Sequence, residues 1–323
     1  MKSKVILRGV SNRPIKAVVA ELMELCAWKD LVARDATVML KPNLCSTVPG
    51  KWQMSNTDPA VTEALCEILL ERTRRVYIVE SSHLRYSADQ MFAASGYLEL
   101  AKRTGVELVN LTASPRARVR CEPAGEIEMP RLLLEADVLI TLPVLKTHAL
   151  TYFTGALKNQ WGCIPRYDRI LYHQWIDPMI SSLDQLLQPR LALMDGILGM
   201  EGRGPTNGKP RRLDVLLASR DPVALDATAM RLVNLDPRGA RHVVLAARNQ
   251  LGAFEPADIE VDGDWEKYRT QFEPAVLDRA VAAMNYMSRY RLFVRYALEK
   301  DLVFYPARAV VQFLRRVGVV EGA

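Results

Sequence analysis

Along this chain, short runs of apolar residues stop abruptly at polar clusters, and helical patterns separate one run from the next. Thr37 to Leu40 runs into Lys41-Pro42-Asn43, and Val76 to Val79 into Glu80-Ser81-Ser82-His83. Val138 to Leu142 leads into a segment bearing Lys146, Thr147 and His148. The runs are continuously apolar rather than alternating, as strands are when helices cover both faces of their sheet. Between them, Ile15 to Trp28 carries Val18, Val19, Leu22 and Leu25 on one helical face. Asp58-Pro59 opens another helix, with Val61, Leu65, Ile68 and Leu69 on its inner side. Such alternation implies right-handed βαβ units. The expected fold is α/β: a mostly parallel sheet with helices on both faces, in two lobes around a cleft, followed by a helical C-terminal extension.

The lobes are expected at about residues 1–150 and 151–275 of one α/β domain. From Val276 the pattern changes to apolar, aromatic and basic residues without clear strands. Eight Lys and Arg stand against four Asp and Glu in 276–323, against a net charge of +6 for all 323 residues. We expect two basic helices there, broken near Pro306. The balance over the whole chain is mildly basic and diffuse, which fits a small anionic ligand and argues against nucleic acid. Five scattered cysteines, none spaced Cys-x-x-Cys, are expected as free thiols of a reducing compartment. No N-terminal signal pattern and no run of roughly 18 apolar residues is present, so a cytoplasmic location is expected.

Chemistry gathers in Leu139 to Gly162. Past a buried strand come Lys146, Thr147 and His148, then, beyond Gly155, the pair Lys158-Asn159. In open α/β sheets ligands sit beyond the carboxyl ends of the strands. Lys41 and Asn43, Glu80 and His83, Lys146 and His148, Asp195, and Asp221 all follow candidate strands. In a parallel sheet these groups project toward one edge, which points to one site. The strand Leu191 to Met194 is followed by a glycine-rich loop, Asp195 to Gly208, whose amides at Gly202 and Gly204 are expected to cradle an anion. It fits neither a dinucleotide nor a P-loop spacing. Asp221, before Pro222, reads as a helix cap. Asp226, among apolar neighbours, needs a partner, expected to be a site lysine or a hydroxyl such as Ser219.

At these residues the chain resembles the domain of unknown function 362 family. The resemblance rests on Lys41-Pro42-Asn43, Lys146-Thr147-His148, Thr154 to Asn159 and on to Gly162, His173, Asp195-Gly196, Gly199 to Gly202, Gly204-Pro205, and Ser219 to Ala227. It spans roughly Lys4 to Gly263. Some members carry a ferredoxin-like segment. None is present in this sequence, so no iron–sulfur cluster is expected.

The leading expectation is a cytoplasmic enzyme for a small anionic metabolite. Lys41, Lys146, Thr147 and Lys158 would bind a carboxylate or phosphate, with Asn43 and Asn159 orienting it. His148 or His173 would move a proton, with Asp195 or Glu201 as partner, in an isomerase, racemase or lyase. A second reading places a divalent metal on His173, Asp195, Glu201 and Asp221. A third is a non-catalytic protein that docks on a partner, a second copy or a membrane surface through the basic tail.

Overall fold

The computed structural model describes residues 2–277 and 279–294. Its strands are β1 (Ser3–Gly9), β2 (Val38–Pro42), β3 (Val76–Glu80), β4 (Glu107–Asn110), β5 (Arg116–Cys121) and β6 (Gly125–Pro130). After these come β7 (Val138–Leu142), β8 (Val144–His148), β9 (Tyr152–Phe153), β10 (Leu191–Glu201), β11 (Lys209–Ser219) and β12 (Ile259–Asp262). The main sheet runs β12-β1-β11-β10-β7-β2-β3-β4, with β8 on β10 and β9 on β8. Pairing is parallel from β10 through β7, β2 and β3 to β4, and between β10 and β8. β11 is antiparallel to both its neighbours. β5 and β6 form a separate hairpin.

Side chains of the central strands alternate between two cores. Ile6, Val38, Leu40, Leu193 and Leu216 enter one, with Val18 and Leu22 of helix Ile15–Leu25 and Val61 and Leu65 of helix Pro59–Leu70. Leu7, Met39, Leu139, Met194 and Leu217 enter the other, with Ile180 of helix Ile176–Leu187 and Leu225 of helix Pro222–Leu232. Helix-covered faces on both sides account for the unbroken apolar runs. Asp58 caps its helix as expected, accepting from the Ala60 amide at 2.9 Å.

The glycine-rich segment differs from its expectation. It is a hairpin: β10 continues past Met194 to Glu201 and returns as β11. Close packing requires the glycines there. A Cβ on Gly196 would lie 2.9 Å from the Val215 carbonyl oxygen, and one on Gly199 2.7 Å from that of Leu145. The register shifts between Gly196 and Leu198, a local irregularity that glycine accommodates.

The segments expected as lobes share one sheet, since β10 and β11 lie between β1 and β7. Of the C-terminal extension, helices Arg279–Met287 and Arg291–Phe293 are described, and Ser288 and Val294 are buried. The remainder of the basic tail, with the break at Pro306, lies outside the described residues. Among the described residues, no helix is long and apolar enough to cross a membrane.

Candidate functional site

At the carboxyl ends of β2 and β3, and along β8, the chain leaves a cavity of about 100 Å³. Lys41, Asn43, Cys45, Glu80, His83, Lys146, His148, Thr154, Lys158, Asn159, Trp161, Gly162, Arg169 and Pro205 are among its lining residues. Parallel pairing aims the ends of β2 and β3 at one edge. β8, parallel to β10, brings Lys146 and His148 to the same place.

Lys41 is 1% exposed and fully engaged. Its ammonium meets Glu80 Oε2 and the Pro42 carbonyl, each at 2.7 Å. Glu80 also accepts from the Ser81 and Leu44 amides. The pair therefore ties the end of β2 to the end of β3, with its charges matched. Gly162 is the residue that makes room for it, because a Cβ there would lie 2.7 Å from Lys41 Nζ and 2.9 Å from Glu80 Oε1.

Asn43 and Asn159 form a relay. Asn159 donates to the Lys41 carbonyl at 2.8 Å and to Thr141 Oγ1 at 2.9 Å, and it accepts from Asn43 Nδ2 at 2.9 Å. Asn43 in turn accepts from Lys146 Nζ at 2.7 Å. Lys146 also donates to the Ser55 carbonyl at 2.5 Å and to Cys45 Sγ at 3.2 Å. An ammonium has three donors, so all of Lys146's are used within the protein. Burial lowers its pKa, and the neighbouring Cys45 and Glu80 pull it back up.

Lys158 has no hydrogen-bond or ion-pair partner among the described residues. It stands deep between protein atoms and retains surface toward the cavity. Burial first, then the positive charge of Arg169 and Lys146, pushes its pKa down to about 7. The short helix Gly155–Asn159 carries it, and Asp226 holds the start of that helix. Asp226 accepts from the Ala156 amide at 2.6 Å and the Leu157 amide at 3.0 Å. This corrects the expected lysine or hydroxyl partner. Burial pushes the Asp226 carboxyl up to about 8, against the pull of those two amides. Gly155 adopts φ +61°, and a Cβ there would sit 2.3 Å from the Asp226 carboxylate, so glycine is required twice over.

Arg169 donates through Nη1 to the Ser82, Ile164 and Arg166 carbonyls and has no carboxylate partner among the described residues. His148 Nδ1 accepts from the Leu150 and Thr151 amides at 3.1 and 3.3 Å. Its proton therefore sits on Nε2, and burial among Lys158 and Lys146 holds the ring neutral, well below the usual histidine range. Thr154 is 2% exposed, and its hydroxyl is unpaired among the described residues. His83 also lines the cavity, with burial lowering its pKa to about 3.

The remaining expected site residues are not brought to the cavity. Thr147 donates to the Gly202 carbonyl at 3.0 Å and fastens β8 to the hairpin. Gly202 gives its amide to the Glu273 carbonyl and Gly204 gives its amide to the Gly202 carbonyl, so neither cradles an anion. Asp195 lies inside β10 rather than at its end. It accepts from the Asp58 and Ile197 amides at 2.8 and 2.9 Å, and burial raises it to about 6. Glu201 accepts from the Glu273 amide at 3.0 Å and faces Arg211 at 3.5 Å. Asp221 ends an antiparallel strand, so it emerges at the opposite edge, where it binds Ser3 and caps helix Pro222–Leu232. His173 packs its ring on Trp161 and meets Asn285 Oδ1 at 3.2 Å, behind the cavity wall. The metal set His173, Asp195, Glu201 and Asp221 is thus dispersed. Among the described residues, no group of three or more His, Cys, Asp or Glu is placed to hold a metal ion. Sequence reasoning missed Arg169, Thr154 and Cys45 as site residues, and no spacing signal marks them.

Fold and cavity together define an α/β protein with an electropositive pocket at the carboxyl edge of its parallel strands. The family described as Domain of unknown function (DUF362) matches residues 38–231, and the chain belongs to it. All the cavity residues named above fall inside that stretch. The thylakoid-associated protein sll1697 of Synechocystis sp. (strain ATCC 27184 / PCC 6803 / Kazusa) is 30% identical over 263 residues, covering 78% of this chain and 80% of that protein. Among solved structures, the lactate racemase apoprotein of Thermoanaerobacterium thermosaccharolyticum superposes with a TM-score of 0.49 at 13% identity, over 73% of this chain. The matched part covers 58% of that chain.

Proposed function

We propose that the protein is an enzyme acting on a small metabolite that carries a carboxylate or phosphate. One observation carries this reading: Lys146, Lys158 and Arg169 line one cavity, and none has an acidic ion-pair partner among the described residues. Buried cations without counter-charge are costly unless a ligand supplies it. Arg169, the Thr154 hydroxyl and the His148 Nε2–H are the donors left for the anion. Lys146 contributes charge, its hydrogen bonds being spent on the protein. Lys158, with a pKa of about 7, is the group suited to exchange a proton near neutral pH. His148 is unsuited to act as base, because its only lone pair already accepts two amides. The reaction class that fits is proton abstraction beside the anionic group, leading to isomerisation, racemisation or elimination.

The test combines binding and exchange. Oxalate or inorganic phosphate should raise the melting temperature, and Lys158→Met should abolish the rise while the fold persists. Loss of one charged contact is worth about 1.5–3 kcal/mol, or roughly 10- to 100-fold in affinity. Small 2-hydroxy acids incubated with the protein in D2O should exchange the C–H beside the carboxylate. No melting shift with any anion would refute the pocket, and a shift without exchange would leave a binding protein.

A second reading, peripheral membrane contact through the basic segment 276–323, is supported by the name of the thylakoid-associated relative. Co-sedimentation with anionic vesicles tests it.

A further inference from the structure

The geometry points to Cys45 as a nucleophile within this pocket, acting on an anion that bears an electrophilic carbonyl. The inference rests on the anion reading above and names the substrate class more narrowly. Cys45 follows β2 and lines the cavity, and it is the one cysteine that is not fully buried. Lys146 Nζ lies 3.2 Å from its sulfur, at hydrogen-bond distance, and the sulfur also faces the Ser55 carbonyl at 3.3 Å, the Pro205 carbonyl at 3.8 Å and Asn43 Oδ1 at 3.9 Å. A neighbouring cation favours the thiolate, the form of a cysteine that attacks carbon. The other groups around the cavity are Lys158 and Arg169, the matched pair Lys41 and Glu80, and two neutral histidines, so no uncompensated carboxylate opposes negative charge on sulfur. The unpaired Thr154 hydroxyl, 2% exposed, independently marks the space beside it as a place for a ligand's oxygen.

The remaining cysteines set the contrast. Burial pushes Cys26 and Cys121 up to about 11, and Cys66 and Cys163 up to about 12. None of them lines the cavity. In the step inferred here, the Cys45 thiol gives its proton to the neutral Lys158 amine, and the sulfur adds to the carbonyl carbon as a C–S bond forms. The C=O π pair moves to oxygen, and the Lys158 ammonium supplies the proton, giving a hemithioacetal or hemithioketal. The step needs no oxidant or other co-reactant, and it reverses to release the carbonyl compound.

Alkylation of the native, full-length protein tests this. Iodoacetate and iodoacetamide each transfer a two-carbon group to sulfur with loss of iodide, but only iodoacetate carries a carboxylate. Peptide mass spectrometry after limited labelling should place the adduct on Cys45 alone. Relative to glutathione, the rate ratio of iodoacetate to iodoacetamide should rise by about tenfold or more, as a cleft of one charge sign concentrates its counter-ion. Lys158→Met should erase the preference while neutral iodoacetamide still reacts. Glyoxylate, an aldehyde acid, should protect Cys45 at lower concentration than acetate. If Cys45 reacts no faster with either reagent than glutathione does, while oxalate still raises the melting temperature, the nucleophile falls and the anion pocket stands. If Cys45 reacts readily but without preference for iodoacetate and without protection by oxalate, the anion pocket itself falls. Equal protection by glyoxylate and acetate would overturn the carbonyl class.

Discussion

Two lysines of the same pocket do different work because their hydrogen bonds differ. Lys146 is bound at every donor, whereas Lys158 is bound at none among the described residues. Lys158→Met therefore removes an unpaired buried cation and should leave stability at pH 7 unchanged or slightly higher. Lys146→Met leaves the Asn43 and Ser55 oxygens only the weak Cys45 thiol as donor and should cost about 1–3 kcal/mol in chemical denaturation. Their pH behaviour differs as well. Free Lys158 loses its proton as pH passes about 7, so oxalate, whose own charge is constant there, should bind more weakly from pH 7 to 9. Binding at pH 8 should take up a proton, visible by calorimetry in buffers of different ionisation enthalpy. Folding stability responds in the other direction. The folded-state pKa lies below the ordinary lysine value, so the contribution of Lys158 grows as pH rises from 7 toward 10.5 and is lost as pH falls through 7. Lys158→Met should remove both dependences together.

Short elements, rather than long helices, position the pocket. The helix Gly155–Asn159 is too short to hold itself, and Asp226 fixes its first amides from the neighbouring helix. Asp226→Ala should cost about 2–4 kcal/mol, since it leaves two buried amides unpaired. It should also weaken anion binding, because Lys158 and Asn159 ride on that helix. Gly155→Ala should act in the same direction, through the positive φ and the close carboxylate. Such elements also divide what was legible in the sequence from what was not. Apolar runs marked β2, β3 and β7, and with them Lys41, Asn43 and Lys146, because burial on both faces leaves an unbroken apolar run. The hairpin β10–β11 was not legible, since its glycines answer close packing in space rather than a turn in sequence. That difference moved Asp195 into a strand interior and turned Asp221 to the far edge. Arg169 carries no sequence signal, and Thr154 only its place in the motif of the family resemblance, because their role comes from what the fold leaves unpaired around them.

Over the whole molecule, the C-terminal segment is the part whose role reaches beyond the pocket. Its described portion is attached to the body: Asn285 bonds His173, His173 packs on Trp161, and Trp161 lines the cavity. Ser288 and Val294 are buried. Apolar burial of this kind is what stabilises a short helix. Truncation after Pro274 should therefore lower the melting temperature by roughly 5 °C, as expected for a loss of about 1–2 kcal/mol in a chain of this size. It should also alter anion affinity by loosening the wall behind Lys158. Truncation after Val294 separates the two roles of the segment, because it keeps the contact with His173 and removes the last basic residues. If the basic end binds membranes, this shorter cut should abolish co-sedimentation with anionic vesicles and leave the melting temperature and oxalate binding unchanged. Full-length protein that ignores such vesicles at low ionic strength, where basic segments bind anionic lipid most strongly, would remove the membrane role and leave the segment as a brace for the pocket wall.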